Sequence, residues 1–444
     1  MPHELDKILI VEGQAGFPYQ LGELRGLILN AATFGPDKDE YGQVSNIICD
    51  VFQRRDEAVA EYTEKFDSVK LTPAQFRISE KDLEKAHKEI DKNLLKSLRQ
   101  AIENVKKYQK EIFISSKKHP GIKYKLINPV GICVPGASAP LPSTVIMTAI
   151  PALVAGVKEI VVVSPPRYNS SIHPVILGVC YELQNKDEYK DSNIEVYRIG
   201  GAQAVAALAL GTGTIPKVNK IVGPGNRWVQ TAKKQVSGLV GIDSIAGPSE
   251  VLIIANEKAN PAWVAADMLS QAEHTPGSAV LATDSHTLAE KVLDEIKKQV
   301  NHLERVDATI GCLKEYSKIA VFENKDKVVE FANEFASEHL EIQCGDESRQ
   351  IADRIYNAGA IFIGDYSPVA VGDYWAGPSH TLPTGRTAMF SSALTSNDFV
   401  KSISIIEYDK KKLAECAEDI IRLAEAEGLD AHAKSVRIRQ EKQN

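Results

Sequence analysis

Several features that would place this chain of 444 residues in a specialised class are missing. Its six cysteines are widely scattered and include no Cys-x-x-Cys pair, which argues against both a zinc-finger framework and a disulfide scaffold and favours a reducing compartment. Basic residues number 52 against 59 acidic ones. The resulting net charge of −7 argues against a surface that binds nucleic acid or an anionic membrane.

Targeting and membrane-spanning segments are missing as well. The N-terminus, MPHELDKILIVEG, lacks the basic and apolar regions of a signal peptide. The longest apolar run, residues 145–157, contains Pro151 and is shorter than the roughly 20 residues that a bilayer requires. We therefore expect a soluble, cytoplasmic protein.

The chain also lacks a G-x-G-x-x-G nucleotide-binding fingerprint, because GTGTIP and GPGNRW both break at the third glycine. The glycine-rich turns at 200–203 and 223–226 could nevertheless cradle a pyrophosphate at the start of a helix. Taken alone, such a turn serves the path of the backbone more often than a ligand.

An alternation of helices and strands is what the chain does have. The hydrophobic content of 43% is that of a globular protein, and the length predicts more than one domain. Leu94, Leu98, Ile102 and Val105 recur at helical spacing, which predicts an N-terminal helical region over residues 1–130 that packs on a larger core. This helical region shows no evident catalytic function.

From residue 131 onward, short apolar strands such as EIVVV, EVLIIAN and SAVLATD alternate with helical segments. This alternation predicts an α/β fold with two doubly wound, incomplete Rossmann-like domains at 131–246 and 247–395, each with a parallel sheet. Ligand sites are expected at the carboxyl ends of their strands. Residues 396–444 predict a small C-terminal arm with one amphipathic helix at 413–424, too small for its own core.

The stretch from 222 to 274 holds two Gly-Pro turns, a strand and a helix with Gln271 and His274 near its end. Residues three apart share a helix face, so these side chains can converge on one small object. His339, His380 and His432 also lie at ends of elements near Asp, Glu or Gln. Taken alone, each of these histidines is more often a helix C-terminal cation or a hydrogen-bonded side chain than a ligand.

A zinc site would suit these residue types. Neutral imidazoles and a carboxylate are good zinc ligands, and a Gln amide would leave the metal charge less compensated, which makes a stronger Lewis acid. Spacing alone does not establish such a set, because its members would be scattered from 271 to 432.

Several longer runs, in this order, are similar to the histidinol dehydrogenase family: VGPGNRWVQTAKKQV, GIDSIAGPSEVLII, ADMLSQAEH, ASEHLEIQ, VGDYWAGPSHTLPTG and EAEGLDAH. The resemblance covers nearly the whole chain and includes RRDEAVAEYTEKFDSVKL near the N-terminus. It implies oxidation of L-histidinol through L-histidinal to L-histidine, the last steps of histidine biosynthesis. It also implies two NAD⁺ per turnover, one zinc ion per subunit, and a homodimer in which the C-terminal arm contributes to the partner's site.

The same resemblance assigns roles to individual residues. It makes His339 the general base for the alcohol proton and Glu338 the group that activates water for the second oxidation. The zinc ligands, which also border the substrate, would be Gln271, His274, Asp373 and His432. Further substrate contacts would come from Ser249, His380 and Glu427, the last of them from the partner subunit. Cofactor-binding positions would be Cys133, Gln203 and Asn226.

Three positions depart from the family pattern. Cys133 replaces a tyrosine in the loop GICVPGA, where we favour a small buried thiol over a nucleophile and expect weaker cofactor binding. Ser379 stands where Asn is common, and Arg386 stands where Gly is common. Two alternatives therefore stay open. One is a paralogous zinc and NAD dehydrogenase of another small polar alcohol, such as a hydroxyalkyl sulfonate; the other is a catalytically silent homologue that binds a metal or metabolite.

Overall fold

The computed structural model describes residues 2–29, 39–114, 120–136, 140–245, 247–274 and 277–440. The chain forms two compact units, one of residues 1–115 and 126–400 and one of residues 116–125 and 401–444. The first unit therefore contains the material of both predicted α/β domains.

Strands and helices follow in the order β1 (Leu9–Val11), α1 (Phe17–Leu29), α2 (Glu40–Arg54), α3 (Asp56–Asp67), α4 (Glu80–Lys88), α5 (Lys92–Ile112), β2 (Ile122–Leu126), β3 (Val130–Cys133), α6 (Pro142–Ala155), β4 (Glu159–Val163), α7 (Pro174–Gln184), β5 (Asn193–Tyr197), α8 (Gly201–Leu210), β6 (Lys220–Val222), α9 (Arg227–Val236), β7 (Gly241–Ile242), β8 (Ser249–Ala255), α10 (Pro261–Ala272), β9 (Gly277–Thr283), α11 (His286–Gln299), α12 (Val306–Tyr316), β10 (Lys318–Val321), α13 (Lys325–Phe335), β11 (His339–Gln343), α14 (Ser348–Ala352), β12 (Ala360–Ile363), α15 (Val369–Tyr374), β13 (Val400–Ser404), α16 (Lys410–Ala426) and α17 (Asp430–Gln440). Short 3₁₀ segments lie at Pro2–Ile8, Pro73–Gln75, Asp187–Tyr189, Val300–His302, Gly345–Glu347, Thr387–Met389 and Ser396–Phe399.

The first sheet has the strand order β5-β4-β3-β6-β7, and all neighbours are parallel. Both of its faces are covered: Ile132 packs in a core shared with α6, whereas Cys133 packs in a core shared with α8. Burial on both faces explains why these strands are continuous apolar runs. Successive strands are added on one side of β3 up to β5 and on its other side from β6 onward, and this switch between β3 and β6 is the position where doubly wound sheets bind ligands.

The second sheet has the strand order β1-β10-β9-β8-β11-β12, again all parallel. Apart from β1, this order repeats that of the first sheet. Helices α10, α11 and α12 cover one face, and α1 and α13 cover the other. The α/β class with parallel sheets is thus confirmed. The N-terminal region is not purely helical, because β1 joins the edge of this sheet.

The second unit contains β2, β13, α16 and α17. Strands β2 and β13 pair with each other, which explains why residues 116–125 belong to this unit. Its two helices bury small residues, among them Ala417, Ala424 and Ala433. The prediction of one helix here was incomplete, because the charged run after Asp430 forms α17. Among the described residues, no helix is long and apolar enough to cross a membrane.

Candidate active site

The end of α10 carries the first two predicted site residues. Asn260 caps this helix by accepting the N–H of Ala262, and Pro261 occupies the first helical position, as its sequence predicts. Gln271 is buried, and its Nε2 has no hydrogen-bond partner among the described residues. A Cβ at Gly277 would lie 2.2 Å from the carbonyl oxygen of Gln271, so only glycine permits β9 to begin so close to the helix.

His274 follows the helix and is exposed to solvent. Desolvation lowers the pKa of its imidazole; Glu273 opposes this, and the charge of His339 lowers it further. A neutral imidazole is the form that a metal requires. The proximity of His339 indicates that the α10 end and β11 share one site.

His339 is the first residue of β11 and is buried. Its Nδ1 lies 3.1 Å from the carbonyl oxygen of Glu250, so Nδ1 carries the hydrogen and donates it. Its Nε2 lies 3.8 Å from Oδ1 of Asp373, and the same oxygen is 4.0 Å from Nδ1 of His380. Burial lowers the pKa of His339 despite the opposing effect of Asp373, which leaves the Nε2 lone pair available as a base.

Glu338 precedes His339 and is also buried. Its Oε2 accepts hydrogen bonds from Ser249 Oγ at 2.7 Å and from the N–H of Glu250 at 2.9 Å. Burial raises the pKa of Glu338 to about 8. Three residues predicted from the sequence, namely Ser249, Glu338 and His339, therefore form one hydrogen-bonded group with Glu250.

Glu250 was missed by the sequence analysis. Its carboxylate accepts the N–H of Gly385 at 2.5 Å, and burial raises its pKa to about 8. The available signal was a glutamate inside the apolar strand EVLIIAN, which an amphipathic pattern alone would place in solvent. Burial therefore raises the pKa of two carboxyls in this group, those of Glu250 and Glu338, well above the ordinary range.

The position of this group corrects one expectation. Ser249 and His339 are the first residues of their strands, and Glu338 precedes its strand. These residues therefore lie at the amino edge of the second sheet, and the prediction of a site at its carboxyl edge was wrong. Helix α10 runs back antiparallel to the strands, so its last residues return to the same edge.

A cavity of about 460 Å³ lies next to His339 and is lined by that residue together with Asp373, Ser379 and His380. Burial lowers the pKa of His380 to about 4, so it is neutral. The hydroxyl of Ser379 donates to the carbonyl oxygen of Met147 at 2.9 Å, which engages it with the backbone. Arg386 is exposed and has φ 65°, a conformation that favours the glycine common at this position.

The predicted cofactor-binding residues meet at a separate cavity of about 360 Å³, lined by Cys133, Gln203 and Asn226. It lies at the carboxyl ends of β3 and β6, where the order of strand connection in the first sheet switches sides. Gln203 is fully buried, and within the described part of the chain neither polar atom of its amide has a hydrogen-bond partner. Asn226 also caps α9 by accepting the N–H of Val229 at 3.2 Å. Burial raises the pKa of Cys133 to about 12, so it is a neutral thiol.

The turn beside this cavity is fixed by a buried ion pair that the sequence did not reveal. Lys233 and Asp243 pair with each other, Lys233 Nζ donates to the carbonyl of Gly223 at 3.0 Å, and Asp243 accepts the N–H of Gly223 at 2.7 Å. A Cβ at Gly223 would lie 2.3 Å from the carbonyl oxygen of Cys133. The turn therefore needs glycine for close approach, as well as for its φ of 106°.

Glu427 and His432 belong to the second unit, where both are exposed. Within the described ranges, no three His, Cys, Asp or Glu residues are grouped as metal ligands. The predicted zinc set is compatible with this result, because the first unit supplies only His274, Asp373 and a glutamine. The four-ligand set therefore stays a prediction.

The model of the family described as histidinol dehydrogenase matches residues 36–440. A histidinol dehydrogenase of Rhodopirellula baltica is 44% identical over 424 residues, covering 94% of this chain and 90% of the relative. That of Oceanobacillus iheyensis is 46% identical over 410 residues, covering 90% and 93%. The crystal structure of histidinol dehydrogenase from Elizabethkingia anophelis superposes with a TM-score of 0.85 at 32% identity and covers 97% of each chain.

Proposed function

The chain belongs to the histidinol dehydrogenase family of oxidoreductases, and from this premise we propose that it oxidises L-histidinol through L-histidinal to L-histidine with two NAD⁺ and one Zn²⁺. The observation that carries the proposal is the group around His339. A neutral imidazole anchored at Nδ1 turns Nε2 toward Asp373, and a buried carboxyl lies beside it.

In the first oxidation, Nε2 of His339 accepts the proton of the alcohol. Its hydrogen bond to the carbonyl of Glu250 fixes the ring in the tautomer that accepts a proton at that atom. Asp373, 3.8 Å away, stabilises the resulting imidazolium. A nearby general base of this kind contributes about 10²- to 10⁴-fold to the rate.

In the second oxidation, a water molecule adds to the aldehyde carbon before a second hydride leaves. Glu338 removes the proton of that water. Because its pKa is about 8, the carboxylate is a stronger base than an ordinary glutamate once it is ionised. Ser249 and the N–H of Glu250 hold the carboxyl in place through hydrogen bonds to one oxygen.

The residues present fit the two groups that the family uses. The unpartnered, buried amide nitrogen of Gln271 fits a ligand position, because the two ends of an amide can exchange and the oxygen could then bind a cation. Gln271, His274, Asp373 and His432 would hold Zn²⁺, which supplies a positive charge that favours the alkoxide. Gln203, Asn226 and Cys133 would contact NAD⁺, which accepts the hydride. The unpartnered amide of Gln203 supports a polar ligand in that cavity.

His380, Ser249 and Glu427 would bind the amino and imidazole groups of the substrate. Because Glu427 and His432 lie in the second unit, we also propose that the enzyme is a homodimer in which this unit of the partner subunit completes each site. Exposure of Leu423 and Ile438, at 68% and 65%, supports an additional contact surface on these helices.

The test is turnover of L-histidinol by the zinc-loaded protein at saturating NAD⁺. We expect two NADH and one histidine per histidinol. Formation of NADH with hydroxyalkyl sulfonates or other small polar alcohols, but not with histidinol, would favour the paralogous dehydrogenase. A protein that binds zinc but oxidises no alcohol would favour the silent homologue.

A further inference from the structure

A polar row runs from the active site into the interior between β11 and α10. His339, Glu341 and Gln343 alternate along β11 and therefore point to one face of the sheet. Asp267 and Gln271 lie about one turn apart on α10, and His274 follows the end of this helix. This face of the second sheet is otherwise apolar, with Val264 and Met268 in its core, so buried carboxyls here need an explanation.

These inner residues bond directly to one another. Gln343 Nε2 donates to Oδ2 of Asp267 at 2.7 Å and lies 3.1 Å from Oε2 of Glu341. The carboxyls of Asp267 and Glu341 also share a hydrogen bond. Two carboxyls in contact, of which Glu341 is buried and Asp267 half-buried, do not both ionise, so one proton is retained between them. Burial and the nearby Asp267 raise the pKa of Glu341 well above its ordinary value, which places that proton on Glu341.

Glu341 also reaches a third element. Its Oε1 accepts the N–H of Val369 at 2.8 Å, and Val369 is the first residue of α15. Asp373 lies one turn farther along that helix. Glu341 thus bonds through Asp267 to α10, which carries Gln271 and precedes His274. It bonds through Val369 to α15, which carries Asp373. It also lies two residues from His339 on β11.

We propose that Glu341, with Asp267 and Gln343, is a positioning residue that fixes α10 and α15 against β11 so that Gln271, His274 and Asp373 converge on one metal. This inference rests on the proposed zinc-dependent function and adds to it the residues that orient the ligands. None of the three is placed in contact with substrate, cofactor or metal. Groups that orient ligands from behind typically affect metal affinity by about 10- to 100-fold.

The experiment compares Glu341→Leu with Glu341→Gln in the full-length protein. Leucine removes the hydrogen bonds of Glu341 to Val369, Asp267 and Gln343, whereas glutamine can still accept from Val369 and donate to Asp267 in place of the protonated acid. Zn²⁺ affinity is measured by competition with a chromogenic chelator, and kcat and KM for histidinol are measured separately. We expect Glu341→Leu to bind Zn²⁺ about 10- to 100-fold more weakly and Glu341→Gln to remain within about threefold of the parent.

Two further variants keep the test decisive. Glu182→Leu removes a half-buried carboxyl of α7 that bonds to Arg99 and His87, so it measures the general effect of such a loss and should leave Zn²⁺ affinity unchanged. If Glu341→Leu does not fold, Asp267→Ala replaces it, because Asp267 is only half-buried. Unchanged Zn²⁺ affinity in Glu341→Leu or Asp267→Ala would overturn the positioning role, as would equal losses in the Gln and Leu variants. A parent protein that does not bind Zn²⁺ would instead overturn the proposed function.

Discussion

Replacing Glu338 by Gln should stabilise the fold in neutral and alkaline solution while abolishing the second oxidation. Gln can accept the same hydrogen bonds from Ser249 Oγ and the N–H of Glu250 that Oε2 of Glu338 accepts. Below about pH 4 the Glu338 carboxyl is protonated in both the folded and the unfolded chain, so we expect the two proteins to unfold with similar free energies. The difference develops above that pH, where the carboxyl ionises in the unfolded chain but stays protonated in the folded protein.

The magnitude follows from the pKa of about 8 in the folded state against an ordinary 4.5. Because the folded protein binds the proton more tightly than the unfolded chain, stability decreases as the pH rises between these two values and then levels off. Each pKa unit corresponds to about 1.4 kcal/mol. Between about pH 5.5 and pH 8 the advantage of Glu338→Gln in free energy of unfolding should therefore widen by about 3 kcal/mol.

The assay is urea unfolding of both proteins at several pH values, followed by tryptophan fluorescence. Glu182→Gln is the matched control, since burial raises the pKa of Glu182 but Arg99 and His87 outweigh it, leaving the pKa lowered. That substitution should destabilise the protein throughout neutral pH. An advantage of Glu338→Gln that does not change with pH would refute the assignment of a protonated, buried carboxyl. Undiminished histidine formation would refute its role in the second oxidation.

Two other substitutions test the site. His339→Asn should lower kcat of the first oxidation by about 10²- to 10⁴-fold, because the base that receives the alcohol proton is gone, while metal analysis finds unchanged zinc; retained turnover would exclude His339 as the base. Cys133→Tyr should tighten NAD⁺ binding, measured by titration calorimetry, because an aromatic ring with a hydroxyl would replace a neutral thiol that lines the cofactor cavity. An unaltered dissociation constant would show that this position does not limit cofactor affinity.

The sequence alone was sufficient for the α/β class, the run of most helices and strands, and the start of α10 at Asn260 and Pro261. These features depend on local patterns, namely apolar periodicity and capping residues a few positions apart. Motifs spread along the chain were likewise enough to identify the family. The grouping of Ser249, Glu338 and His339 followed from that resemblance rather than from any spacing.

Only the tertiary structure decided which strands become neighbours and which edge of a sheet carries the chemistry. Strand β1 reaches the second sheet across about 300 residues, and no local pattern records such a pairing. The roles of Glu250 and Glu341 were also hidden, because a charged residue in a strand is ordinarily assigned to solvent. Their burial depends on neighbours from distant segments, Gly385 for one and Asp267 and Val369 for the other, which supply hydrogen bonds that water would otherwise make.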